Sequence, residues 1–186
     1  MGVKMLHRTG ANPRYDPGMS TRILIPVIAL ALLLPASGAQ SGAPSGDDAW
    51  KRLIALAGEW EGTEGGRTAT LTYTVISGGS ALMESMQMPA PEPDMVTIYH
   101  RDGAGLVATH YCSMGNQPRM RAGGLAADGK SIQFRFADIT NLAKPGGGHI
   151  QHLTVKFIDQ GHLTQEWTSV ENGKEQAATF NWTRKK

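Results

Sequence analysis

The stretch "TATLTYTVISGGSALMESMQM", residues 68–88, decides what kind of fold this chain adopts. Its two halves are strand-length, and their side chains alternate, imperfectly, with a period of two. "SGGS" (77–80) separates them. Period-two runs rich in Thr, Val, Ile and aromatics predict β-strands, and a short Gly-bearing connection predicts a hairpin, because glycine reaches positive φ without a Cβ clash. The same pattern then repeats toward the C-terminus. Segments 95–101, 106–114, 118–126, 131–139, 149–159, 162–170 and 176–184 are strand-length, and "RDGAG", "ADGK", "DQGH" and "ENGK" supply the turns. Two connections are longer: the proline-stiffened "PAPEPD" (89–94) and the glycine-rich "TNLAKPGGG" (140–148).

The pattern is different on the N-terminal side. In "AWKRLIALA", ending at Gly58, Trp50, Leu53, Ile54 and Ala57 fall on one helical face, with Asp47 or Asp48 placed to cap the helix. With a first strand around "GEWEGT", the sequence predicts an all-β fold: about ten antiparallel strands in an up-and-down barrel with a short N-terminal helix. Closure into a barrel removes the exposed edges such a meander would otherwise carry, and short hairpins favour the up-and-down order over a Greek key.

Further upstream, Arg22, the apolar run "ILIPVIALALLL" (23–34), and Ser37 and Ala39 at the −3 and −1 positions read as a secretory signal peptide over residues 1–39. Met19 serves equally well as a start, which would leave residues 1–18 untranslated. The run is too short to span a membrane, which takes roughly 20 residues. Residues 40–47 read as a linker and 48–186 as one barrel domain. The expected location is exported, periplasmic or secreted. Counted from Gln40, 14 Lys and Arg stand against 15 Asp and Glu, so the net charge of +2 belongs to the leader. No basic stripe suits a phosphate backbone, and nucleic acid is not an expected partner. The lone Cys112 makes no internal disulfide, and a chain of this size buries enough apolar surface without one.

The short helix followed by "LAGEWEG" (56–62), the run of about ten strands and the closing "FNWTRK" (180–185) resemble lipocalin-like, or calycin, barrels, including small exported bacterial domains of unknown function and, more distantly, nitrobindin-type barrels. The resemblance implies that Gly58, Glu59 and Trp60 place an indole across the barrel base beneath a helical turn. In nitrobindin-type barrels a late histidine holds haem iron. The late histidines here are His149, His152 and His162. Haem is thus the one cofactor the resemblance raises; the residues themselves call for no cofactor and no metal.

Strand parity nominates the interior polar groups. In "LVATHYCSM", Leu106, Ala108, His110, Cys112 and Met114 share the more apolar face, which predicts that His110 and Cys112 point inward. Glu84 shares its face with Leu82, Met86 and Met88, an odd place for an acid unless His100, His110 or an arginine pairs with it. Arg119 at a barrel mouth would hold an anion, while Tyr99 and Trp167 would be aromatic walls. Asn116 and Gln117 read as turn residues, and the methionines of residues 83–120 as adaptable packing. There is no Gly-rich phosphate loop, G-x-S-x-G elbow, H-E-x-x-H or paired-cysteine site. The expected function is non-covalent binding of a small, mostly apolar molecule by Glu84, Tyr99, His100, His110, Cys112, Arg119 and Trp167. The alternatives are an enzyme using His110 and Glu84 as acid and base or Cys112 as nucleophile, a haem-binding barrel, and a ligand-free envelope interaction module.

Overall fold

The computed structural model describes residues 45–186 apart from residue 65; the signal segment and most of the linker lie outside the described residues. One helix, α1 (Gly46–Ile54), precedes ten strands: β1 (Gly58–Glu64), β2 (Arg67–Ile76), β3 (Ala81–Gln87), β4 (Met95–Asp102), β5 (Gly105–Tyr111), β6 (Gln117–Ala122), β7 (Ser131–Thr140), β8 (His149–Phe157), β9 (His162–Glu171) and β10 (Lys174–Arg184). Each strand pairs antiparallel with its sequence neighbours, and β1 pairs with β10 to close the ring. The expected up-and-down order is the one observed.

Alternation along the strands sends one set of side chains inward. Leu71 and Tyr73 on β2, Leu82 and Met86 on β3, Tyr99 on β4, Phe134 on β7 and Trp182 on β10 are all buried. Gly62 on β1 is required by this packing: a Cβ there would lie 2.5 Å from both the Asn181 carbonyl oxygen and the Trp182 ring.

The meander puts the β2–β3, β4–β5, β6–β7 and β8–β9 connections at one end, and α1 covers that end. Its cap differs from the expected one. Ser45, not Asp47 or Asp48, is the N-cap, and its side chain and that of Asp48 form a reciprocal capping box. The helix therefore takes in the last residues assigned to the linker. Gly46 lies against the β4–β5 hairpin so closely that a Cβ would sit 1.9 Å from the Ala104 oxygen. Asp47 pairs with Arg101 at 2.9 Å, and Ala49, Trp50 and Leu53 face the core.

A single clamp ties the helix exit to the last strand. The Trp60 indole, 1 % exposed, donates to the Leu56 carbonyl at 2.9 Å. The Arg184 guanidinium lies 4.2 Å from the centre of that ring. Its nitrogens donate to three carbonyl oxygens: Ala57 at 2.7 Å, Ala55 at 2.8 Å and Gln160 at 3.1 Å. These are the carbonyls that the end of a helix and a turn leave without partners, and the planar fork of arginine serves all three while covering the indole. The Trp60 placement implied by the lipocalin-like resemblance is thus observed. Replacing Arg184 with Met should lower unfolding free energy by about 2–4 kcal/mol, the sum of three hydrogen bonds and a cation–π contact. Arg184→Lys should recover less than half of the loss. Urea unfolding of the three proteins measures both effects.

Candidate functional site

The interior carries one polar layer across its middle. Glu84, 1 % exposed, accepts a hydrogen bond from the Tyr99 hydroxyl at 2.7 Å and another from Gln165 Nε2, also at 2.7 Å. Tyr73 on β2 and Thr97 on β4 are the cross-strand partners of Glu84 and flank it on either side. Gln165 also donates to the Tyr73 oxygen at 2.9 Å, and its own Oε1 accepts from the indoles of Trp182 at 3.1 Å and Trp167 at 3.3 Å. Burial pushes the Glu84 carboxyl above its ordinary value, and the bonds from Tyr99, Tyr73, Gln165 and Thr97 hold it back. Burial, and then the neighbouring Glu84 charge, push the Tyr73 and Tyr99 hydroxyls well above theirs. A carboxylate taken from water needs such a set of donors.

Thr97 links this layer to His110. Its Oγ1 lies 2.9 Å from His110 Nδ1, and the imidazole packs tilted on Trp167 with ring centres 4.7 Å apart. His110 is 3 % exposed. Burial depresses its pKa to about 4, so the ring is neutral at pH 7.

Above the layer, at the end opposite α1, is a pocket of about 210 Å³. Met86, Met88, Met95, Ile150, Trp167, Ala178 and Phe180 form its walls, His110 is at its floor, and Arg67 and Glu92, paired at 2.5 Å, stand at its rim. A volume below the roughly 300 Å³ at which drug-sized sites begin suits a small ligand.

Of the seven predicted site residues, Glu84, Tyr99, His110 and Trp167 come together in this assembly. The other three do not. Arg119 sits on the outer face, paired with Asp138 at 2.6 Å. Its neighbours Pro118 and Met120 take the inward positions. His100 is also outward, bonded to the carbonyl of Arg101 at 2.9 Å. Cys112 was expected inside because the alternation was carried through to Met114. β5 instead ends at Tyr111, the chain turns, and Cys112 is half-buried while Met114 is exposed. The thiol pKa is raised by burial, the reverse of what an activated nucleophile needs.

The late histidines do not fit the haem arrangement implied by the resemblance. His149 bonds through both ring nitrogens, to the Gly147 carbonyl and to Gln151. His162 pairs with Asp159 at the helix end, and neither these two nor His152 lines the pocket. No group of three or more His, Cys, Asp or Glu able to hold a metal occurs among the described residues.

Gln165, Tyr73 and Thr97 were not picked out from the sequence, although Gln165 carried a signal: an amide between Leu163 and Trp167 on an otherwise apolar face. Thr97 had none, since threonine is ordinary on either face of a strand.

The fold and site therefore define a closed antiparallel barrel, capped by a helix at one end, with a small apolar pocket over a buried polar layer at the other. No family model matches the chain, and no curated protein does. Among solved structures, it is similar to a protein of unknown function from the DUF3598 family of Nostoc punctiforme PCC 73102, with 14 % identity, a TM-score of 0.49, and cover of 72 % of this chain and 49 % of that one. The chain thus spans about half the length of that protein.

The His110 geometry has a consequence for acid stability. Unfolding releases an imidazole that takes up a proton below about pH 6.5, whereas the folded ring takes one only near pH 4. The unfolded chain therefore binds more protons between those values, and stability is lost as the pH falls through them, by about 3 kcal/mol on reaching pH 4. Glu84, raised in the folded state, acts in the opposite sense above its ordinary value, so the His110 effect is read from a difference. The stability advantage of wild type over His110→Gln, measured by urea unfolding, should shrink by about 3 kcal/mol between pH 7 and pH 4. A constant difference would mean that the imidazole is hydrated in the folded protein.

Proposed function

We propose that this chain is an exported, lipocalin-like barrel that binds a small, mostly apolar molecule non-covalently in the pocket above His110. The observation that carries the reading is the pocket itself: apolar walls meeting one buried, neutral imidazole. Ligand sites combine apolar area with a few placed polar groups in this way. The methionines Met86, Met88 and Met95 give the walls flexible, polarisable surface that adjusts to a ligand's shape. Trp60, Phe134 and the aromatic members of the polar layer fill the barrel toward α1, so a ligand enters from the open end. The signal-like leader supports export, to the periplasm or beyond the cell.

An acid–base enzyme in the same cavity is favoured by one observation, the cross-strand row Glu84–Thr97–His110. Against it, an imidazole that titrates near pH 4 is a weak base for neutral solution, where a catalytic base works best with a pKa near the working pH.

Binding is tested by native mass spectrometry and by titrating the exported protein with small aromatic compounds while following tryptophan emission, to which Trp167 in the pocket wall contributes. Saturable binding is expected for wild type. Ala178→Trp, which fills the pocket from a wall residue that is not part of the polar layer, should abolish binding and lower the unfolding free energy by no more than about 3 kcal/mol. Export is checked by sequencing the N-terminus of the protein from the exported fraction, where cleavage before Gln40 is expected.

A further inference from the structure

We propose that the open-end pocket holds a soft monovalent metal ion, Cu(I) or its analogue Ag(I), on the thioethers of Met86, Met88 and Met95 and the imidazole of His110. Such a site goes beyond the binding of an organic molecule and uses the same space, so the two occupants exclude each other.

Strand register places the four donors together. Met86 on β3 is the cross-strand partner of Met95 on β4. Thr97, two residues further along the same face of β4, is the partner of His110 on β5, so His110 is the diagonal neighbour of Met95. Directly opposed side chains have Cβ atoms about 5 Å apart, and diagonal ones stay within reach of long side chains. Met88 follows Met86 by two residues and lines the cavity with it. Three consecutive strands thus bring three sulfur atoms and an imidazole to one pocket of about 210 Å³.

The use of methionine along the chain points the same way. There are nine. Met1, Met5 and Met19 lie outside the described residues, and Met83, Met114 and Met120 do not line the pocket. The other three all do. Each has three rotatable bonds, which let the sulfurs close around an ion.

The donor set selects the ion. Thioether sulfur is soft and suits Cu(I), whereas Mg2+, Ca2+ and Mn2+ take hard oxygen ligands. All four donors are uncharged, so a single positive charge enters this apolar cavity at far less desolvation cost than a double one. The carboxylate of Glu92 stands at the rim and is paired with Arg67. His110 Nδ1 is engaged with Thr97 Oγ1 at 2.9 Å, so the metal takes the other ring nitrogen, and Thr97 steadies the ligand from outside. Trp167, its ring centre 4.7 Å from that of His110, sets an aromatic ring near the cation. A thioether site of this kind needs no cluster of His, Cys and carboxylates, and none occurs among the described residues.

The test uses the full chain, purified after export, with its methionine methyl groups labelled with 13C. Silver nitrate is the probe, because Ag(I) shares the ligand preference of Cu(I) and is stable in air. NMR titration should shift the methyl signals of Met86, Met88 and Met95 together and leave that of Met120 in place, with one Ag(I) retained per chain in native mass spectra. The double variant Met86→Leu, Met95→Leu conserves volume and should bind Ag(I) roughly tenfold or more weakly, with its urea midpoint in the absence of silver close to that of wild type. Cys112→Ser, which removes the one thiol, should bind Ag(I) as wild type does. Zn2+ in excess should not displace the silver.

Silver that shifts no pocket methyl, or that is lost in Cys112→Ser, overturns the site. So does an affinity unchanged in the double variant, or displacement by Zn2+. If the double variant unfolds, the wild-type methyl shifts decide. Small aromatic compounds that bind where Ag(I) does not end the metal site and leave the proposed function standing. Ag(I) bound on the pocket methionines with no organic compound bound has the reverse meaning.

Discussion

The buried Glu84 carboxylate is the constraint around which the interior is arranged. A carboxyl group is tolerated away from water only when well-placed partners meet its polar atoms. The donors come from β4 and β9, so satisfying Glu84 draws together strands that are far apart in sequence. Gln165 is the reach across the barrel. Its amide joins the β2–β4 wall to Trp167 and Trp182 on the opposite side. A wholly apolar layer of equal volume would be at least as stable. What the polar layer adds is direction: two indoles hold the Gln165 carbonyl oxygen, which turns its NH2 toward Glu84 and Tyr73.

The barrel's two ends are treated differently, and the difference creates the site. At the closed end, Arg184 combines an aromatic face with three orphan carbonyl oxygens, and α1 packs so tightly on the β4–β5 hairpin that only glycine fits at residue 46. At the open end no described element covers the interior, and the side chains that face the pocket there include methionine, isoleucine, alanine, phenylalanine and Trp167. Between the ends, large aromatic residues fill the lumen up to the polar layer. The outcome is a pocket with a rigid floor and deformable walls. Such a combination lets a site demand one polar contact while remaining tolerant of ligand shape.

The outer surface follows simpler rules. Arg119 with Asp138 and Lys156 with Glu166 pair across neighbouring strands, and Arg121 on β6 reaches past β5 to Asp102 on β4, all in solvent-facing positions. Exposed pairs of this sort contribute little to stability, typically about 0–1 kcal/mol. They do keep charge off the inward face, since each alternates with a buried apolar residue.

The sequence by itself determined the architecture. Period-two runs, hairpin turns and one amphipathic helix leave few alternatives to an up-and-down barrel, because both signals are local: side-chain parity and turn chemistry act over a few residues. The same parity set Glu84 and His110 on apolar faces, and both lie inside. Where it failed, the reason was also local. Cys112 lies one residue past the end of β5, and strand ends are set by where pairing with the next strand stops. Only the tertiary structure decided which inward groups meet. Glu84 and Gln165 are 81 residues apart, and their contact depends on ring closure and on the stagger of ten strands, which no short window of sequence contains. His110 on β5 likewise meets Trp167 on β9 only in the closed ring, so the chemistry of the pocket is a property of the closed barrel and not of any one strand.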